Sequence, residues 1–129
     1  MKSLVVDDVE INREMLAVFL TGHGTTETAE HGEEALEKIE AAMDSGGHYD
    51  LICLDINMPG INGHETLRRI RELEERRGCN RATVFMVTAS SSPDDMMDAL
   101  MHGACDDFVT KPLIQKNFEK LLQRHGLAA

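Results

Sequence analysis

The sequence predicts an α/β fold, a doubly wound five-stranded parallel sheet with helices on both faces. Three observations carry this. Short apolar runs rich in Val, Ile and Leu alternate with longer segments of helical periodicity along the whole chain. Glycine, proline or short polar residues punctuate the boundaries. Strands separated by a helix pair in parallel through right-handed crossovers, which place helices over both faces of the sheet.

Ser3-Leu4-Val5-Val6 forms the first strand and Asp7-Asp8 ends it. Ile11, Met15, Leu16, Phe19 and Leu20 then recur at helical spacing. Thr25 to Ala29 reads as a weak second strand, and Glu33 to Met43 as a helix with Ala35, Leu36 and Ile39 on one side. Ser45-Gly46-Gly47 breaks that pattern before the apolar third strand, Tyr49 to Leu54, which runs into Asp55. A helix from about Gly63 to Arg77 carries Leu67, Ile70 and Leu73 on its apolar side, and Gly78 closes it as a C-terminal glycine does. Ala82 to Val87 is the fourth strand, with Thr88 at its tip. Ser92-Pro93-Asp94-Asp95 opens the next helix with a capping residue, a proline in the first turn and acids that suit the helix dipole. Gly103 ends it. Asp106 to Val109 is a short fifth strand leading to Lys111, and from Pro112 a last helix buries Phe118, Leu121 and Leu122. No repeat, low-complexity stretch or linker interrupts the series, so residues 1–129 are expected to form one domain.

Composition narrows the function. A chain of 129 residues that is 42% apolar and 28% charged has a globular balance and enough length to bury a core. Its formal net charge of -10 excludes nucleic-acid phosphate binding, which needs a basic stripe. Arg68, Arg69, Arg71, Arg76 and Arg77 are interleaved with glutamates and read as a solvated helix face. No apolar run approaches the roughly 20 residues of a membrane helix, and the N-terminus lacks the apolar core of a signal peptide, so a cytoplasmic protein without a membrane partner is expected. Cys53, Cys79 and Cys105 are odd in number and lack metal-ligand spacing. Cys53 reads as core packing, and the six histidines, at 23, 31, 48, 64, 102 and 125, as scattered surface residues.

The strand ends carry the chemistry. Ligands of open α/β sheets bind at the C-terminal ends of the strands, and here four such ends offer Asp7-Asp8, Asp55, Thr88 and Lys111. Short polar residues are common in turns, so each alone would be an ordinary strand terminator; their joint placement points to a site. Carboxylates of Asp7, Asp8 and Asp55 brought together repel one another unless a cation or proton intervenes. Mg2+ suits such a site, because it prefers oxygen ligands and is commonly held by one or two carboxylates together with a phosphate. An aspartate there can attack phosphorus to form an acyl phosphate. The Thr88 hydroxyl and the Lys111 ammonium can each hold a phosphoryl oxygen.

These residues also carry a family resemblance. Leu4-Val5-Val6-Asp7-Asp8, the run Leu54-Asp55-Ile56-Asn57-Met58-Pro59-Gly60-Ile61-Asn62-Gly63, Val87-Thr88-Ala89 and the run from Gly103 to Pro112 resemble the signature blocks of response-regulator receiver domains of two-component signalling. The match covers almost the whole chain, and four blocks in order are far more specific than one short motif.

The resemblance implies the flavodoxin-like strand order 2-1-3-4-5. It implies that Asp55 is the phospho-acceptor, served by a histidine kinase or a histidine phosphotransfer protein in a phosphorelay. It further implies that Asp8 and Asp55 are direct Mg2+ ligands, that Asp7 acts mainly through metal-bound water, and that the Asn57 carbonyl completes the protein's share. Thr88 and Lys111 match the pair that holds the phosphoryl oxygens, and Phe108 the switch aromatic that turns inward as the threonine moves. Lys111-Pro112 matches a peptide bond that is cis in the family. A downstream protein would read the switch on the 93–125 surface; Met96, Met97 and Met101 there suit an adaptable partner, though methionine at helical spacing is more often core filling. The family implies a monomer or weak dimer and no enzyme beyond its own phosphoryl transfer and dephosphorylation. Asn57 and Ser90 stand at positions that tune phosphate lifetime in the family, and Cys105 departs from its usual block.

Two other classes are weaker. An aspartate-nucleophile phosphohydrolase needs a second acid two residues after the nucleophile, where this chain has Asn57, and a substrate domain for which no sequence remains. A phosphorylation-independent binding module would not need the acids, Thr88 and Lys111 together. Met1 directly before the first strand suggests a genuine N-terminus, whereas Leu127-Ala128-Ala129 fits either a natural end or a receiver excised from a hybrid histidine kinase.

Overall fold

The computed structural model describes residues 1–89 and 105–128. Strands β1 (Lys2–Val6), β2 (Thr25–Ala29), β3 (Leu51–Asp55), β4 (Thr83–Thr88) and β5 (Asp107–Thr110) form one parallel sheet in the order 2-1-3-4-5, as expected. Among the described residues, the helices are α1 (Glu10–Phe19), α2 (Gly32–Asp44), α3 (Gly63–Arg77) and a C-terminal helix (Gln115–Arg124). The helix expected from Pro93 to Gly103, with Met96, Met97 and Met101, lies outside the described residues, as do Ser90 and His102.

The sheet is covered on both faces because its inner strands are apolar through residues 4–6, 51–54 and 84–87, and successive side chains alternate between faces. Leu4, Val6, Ile52, Leu54, Val84 and Met86 pack with Ala35 and Ile39 of α2 and with Leu67, Ile70 and Leu73 of α3. The alternate residues Val5, Leu51, Cys53, Phe85, Val87 and Val109 pack with Leu16 and Phe19 of α1 and with Phe118 and Leu122 of the C-terminal helix. Phe118 joins these layers, its ring 5.8 Å from that of Phe19 and 6.1 Å from that of Phe85. Cys53 is a core thiol as expected, fully buried and pushed up to about 12 by burial.

Several sequence expectations shift in the structure. β4 and β5 each begin and end one residue later than their apolar runs suggest, which makes Thr88 the last residue of a strand. The C-terminal helix starts at Gln115, not Pro112, because Ile114 is extended (φ -122°) and Leu113 is buried in the core ahead of the first turn. α2 starts at Gly32, one residue before its expected beginning, with His31 Nδ1 accepting from the Glu34 amide at 3.1 Å as its cap. Ile11 points outward at 59% exposure; α1 buries Leu16 and Phe19 instead, and Leu20, directly after it, is buried too. Gly78 closes α3 as expected, in the left-handed conformation that glycine adopts without steric cost.

Arg71 does not belong to the solvated arginine face. It is largely buried, pairs with Glu74 and Asp106, and donates to the Ala82 carbonyl at 2.9 Å, joining α3 to the starts of β4 and β5. His23 and His125 are likewise half-buried rather than free on the surface. His23 meets Glu119 and His125 meets Asp107, each at 2.9 Å, which ties the C-terminal helix to its neighbours.

Candidate functional site

The strand order reverses direction beside β1, which has β2 on one side and β3 on the other, and such a switch point opens a crevice at the strand ends. Asp7 and Asp55 stand there. Asp7 follows β1 directly, and its amide donates to the Ala29 carbonyl at 3.2 Å. One carboxylate oxygen, Oδ1, accepts from the Val9 amide at 2.9 Å and turns the chain toward α1. The other, Oδ2, is buried without a hydrogen bond. Asp8 is the next residue and is exposed.

Asp55 is the last residue of β3, in register with Val87 of β4 and almost fully buried. The chain leaves it through Gly60, whose φ of 78° favours glycine, and passes close to it again at Gly63. A Cβ at Gly63 would lie 2.4 Å from the Asp55 carbonyl oxygen, so only glycine lets the start of α3 pack against this strand end. The carboxylates of Asp7, Asp8 and Asp55 bring one oxygen each within 4.8 Å of the others. Asn57 lies two residues beyond Asp55 on the same rim and is exposed.

Lys111 supplies the local cation. Its backbone amide donates to the Thr88 carbonyl at 2.8 Å, which fixes the strand end that carries its side chain. The ammonium lies 3.4 Å from Asp55 Oδ1 and 3.6 Å from Asp7 Oδ2. The second distance is an ion pair too long for a hydrogen bond, so Asp7 Oδ2 gains charge attraction without a donor. The Lys111–Pro112 peptide is cis. Thr88 is buried at the end of β4, opposite Thr110 of β5. Phe108 pairs with Met86 in the sheet and is packed into the core.

The site is short of positive charge. Burial, and then the charge of Asp7, push the Asp55 carboxyl up to about 6, while Lys111 opposes the shift and Asp8 adds to it. Hard oxygen donors, an excess of carboxylates and one buried oxygen without a hydrogen bond fit a divalent cation such as Mg2+. Arg13 was not among the expected site residues. Its Nη1 donates to the Asp7 carbonyl at 2.8 Å, and no local motif in the sequence announces that bond.

The sequence and fold resemble those of known proteins. The family profile described as the response regulator receiver domain matches residues 3–123. The two-component response regulator ORR41 of Oryza sativa is 33% identical over 128 residues, covering 97% of this chain and 94% of that protein. Hybrid signal transduction histidine kinase L of Dictyostelium discoideum is 34% identical over 97% of this chain, which spans only 7% of that kinase. Among solved structures, chemotaxis protein CheY4 of Vibrio cholerae superposes with a TM-score of 0.80 at 31% identity, covering 95% of this chain and 96% of that one. The response regulator protein TrrA of Thermotoga maritima, solved in complex with Mg2+ and BeF, gives a TM-score of 0.74 at 34% identity over 95% and 96% of the two chains.

Proposed function

This chain belongs to the response regulator receiver domains of two-component systems, and from that premise we propose that Asp55 takes a phosphoryl group and thereby switches a protein-binding surface. The observation that carries this reading is the Asp55 carboxylate itself. It ends a buried strand, faces two further carboxylates, and has an ammonium 3.4 Å away.

In the transfer, an Asp55 carboxylate oxygen attacks phosphorus of a phosphohistidine. An O–P bond forms as the donor's N–P bond breaks, and the imidazole nitrogen keeps the electron pair and takes up a proton. Asp8 and Asp55, the Asn57 carbonyl and, through water, Asp7 are the groups that would hold Mg2+. When bound, the cation supplies positive charge against the carboxylates and the phosphoryl oxygens. Lys111 turns from Asp55 and Asp7 to a phosphoryl oxygen, and the Thr88 hydroxyl donates to another. Closure of Thr88 and Lys111 only on the phosphorylated form is a differential contact, and it shifts the population toward that form. Phe108 then moves with Thr88 and carries the change to the 93–125 surface, part of which lies outside the described residues.

The donor is a histidine kinase or a histidine phosphotransfer protein, and the reader is a protein. The chain works as a single unit over 1–129 in the cytoplasm, as a signalling module whose only catalysis is its own phosphorylation and dephosphorylation. In support, no helix among the described residues is long and apolar enough to cross a membrane. Incubation with acetyl phosphate and Mg2+ tests the acceptor by intact-mass spectrometry. Wild type gains one phosphoryl group and Asp55→Asn gains none; stoichiometric labelling of the variant would place the acceptor elsewhere.

A further inference from the structure

We propose that Arg13 is a positioning residue for the cation site, acting through the main chain of Asp7; the inference rests on the Mg2+ reading above. The Asp7-Asp8 pair leaves the sheet on a tight turn, and something must hold that turn if two carboxylates are to converge with Asp55. The turn's own supports are few. Val9, the residue that caps α1, makes no side-chain capping bond, so the first turn of the helix is not anchored there. The Asp7 amide is held from β2 and Asp7 Oδ1 is used on the Val9 amide. The Asp7 carbonyl, which begins the peptide bond into Asp8, is held by Arg13.

The geometry suits that task. Arg13 Nη1 donates to this carbonyl at 2.8 Å, while Nη2 faces Glu30 Oε1 at 3.6 Å, directly after the end of β2. The arginine side chain is only 14% exposed whereas Glu30 is 68% exposed, so the bond to Asp7 is shielded from water and the pair to Glu30 is not. A planar guanidinium offers several donors in fixed directions and can hold a loop carbonyl and a strand-end acid at once. Arg13 touches the Asp7 main chain and not a carboxylate of the cluster, so its effect on the cation is exerted by fixing where Asp7 and Asp8 point. Groups that orient metal ligands in this way commonly change metal affinity by about 10- to 100-fold when removed.

Isothermal titration of Mg2+ into the folded, metal-free protein tests this. Arg13→Met keeps the aliphatic stem and removes every donor, and is expected to weaken Mg2+ by about tenfold or more. Glu30→Gln, which leaves the Asp7 bond in place, stays within about twofold of wild type. Arg13→Lys, with one donor on a long stem, recovers part of the loss and serves as the test variant if Arg13→Met does not fold. The double variant Arg13→Met with Asp8→Asn separates positioning from general destabilisation. If Arg13 acts by aiming the turn, its removal costs far less once the Asp8 carboxylate is gone. An Arg13→Met affinity within twofold of wild type, or fully additive losses in the double variant, would overturn the inference and leave the proposed function standing. No Mg2+ binding by wild type would overturn both.

Discussion

The Lys111 ammonium stands 3.4 Å from Asp55 Oδ1, closer than its 3.6 Å approach to Asp7 Oδ2. One cation thus serves two buried carboxylates from the end of a different strand. Charge remains unbalanced, since the Asp55 carboxyl is pushed up to about 6 even with Lys111 in place. Replacing Lys111 with methionine removes the largest influence that lowers this value. Asp55 in Lys111→Met should titrate above about 6, followed by carbon chemical shifts of its carboxyl in metal-free protein. An unchanged titration would mean that the ammonium is not near the carboxylate in solution.

Asp8→Asn should weaken Mg2+ about tenfold or more, because an amide replaces a charged oxygen donor in the cluster. Calorimetric titration measures it, and equal affinity in the variant would remove Asp8 from the ligand set.

The pH dependence has a definite sign. In the unfolded chain Asp55 titrates near about 4, whereas its folded value is about 6. Between these values the folded protein binds more protons from this group than the unfolded chain does. Its contribution to metal-free stability therefore rises as pH falls from about 6 toward 4. Mg2+ competes with that proton. The rise in melting temperature produced by saturating Mg2+ at pH 7.5 should shrink markedly at about pH 5. Equal shifts at both pH values would argue that Asp55 is ionised throughout, or that the cation binds elsewhere.

Thr88→Ala should still accept phosphate, since Asp55, Asp7, Asp8 and Lys111 remain, yet transmit little of the change. Amide hydrogen exchange around Phe108 and in the C-terminal helix, with and without beryllofluoride, reads this out. The same remote perturbation in wild type and variant would exclude Thr88 from the route.

Gly63→Ala places a methyl group where the Asp55 carbonyl oxygen is 2.4 Å away and the Ile56 Cα 2.7 Å away. Backbone must yield on both sides, so a loss of about 1–3 kcal/mol in stability is expected, together with slower labelling by acetyl phosphate as Asp55 shifts. Denaturant unfolding checks the first effect and timed mass spectra the second. A variant as stable as wild type would show that the turn after Asp55 relaxes freely.

Alternation and periodicity alone determined the βα order, the apolar inner strands and the polar residues at their ends, because burial on both faces leaves a strand no other composition. The same local signals placed Asp7, Asp8, Asp55, Thr88 and Lys111 at strand tips, where backbone hydrogen bonding ends and polar side chains can collect. Other features depend on partners distant in sequence. Arg71 looks like one more arginine of a solvated helix until Asp106, thirty-five residues away, is brought to it. Arg13 carries no local sign that it grips the Asp7 carbonyl, and Gly63 no sign that its missing Cβ admits the Asp55 backbone. The raised titration of Asp55 likewise exists only after folding removes water and sets Asp7 beside it. Local sequence encodes which face or end a residue occupies, but the distances that give a charged group its work are set when separate strands are packed side by side.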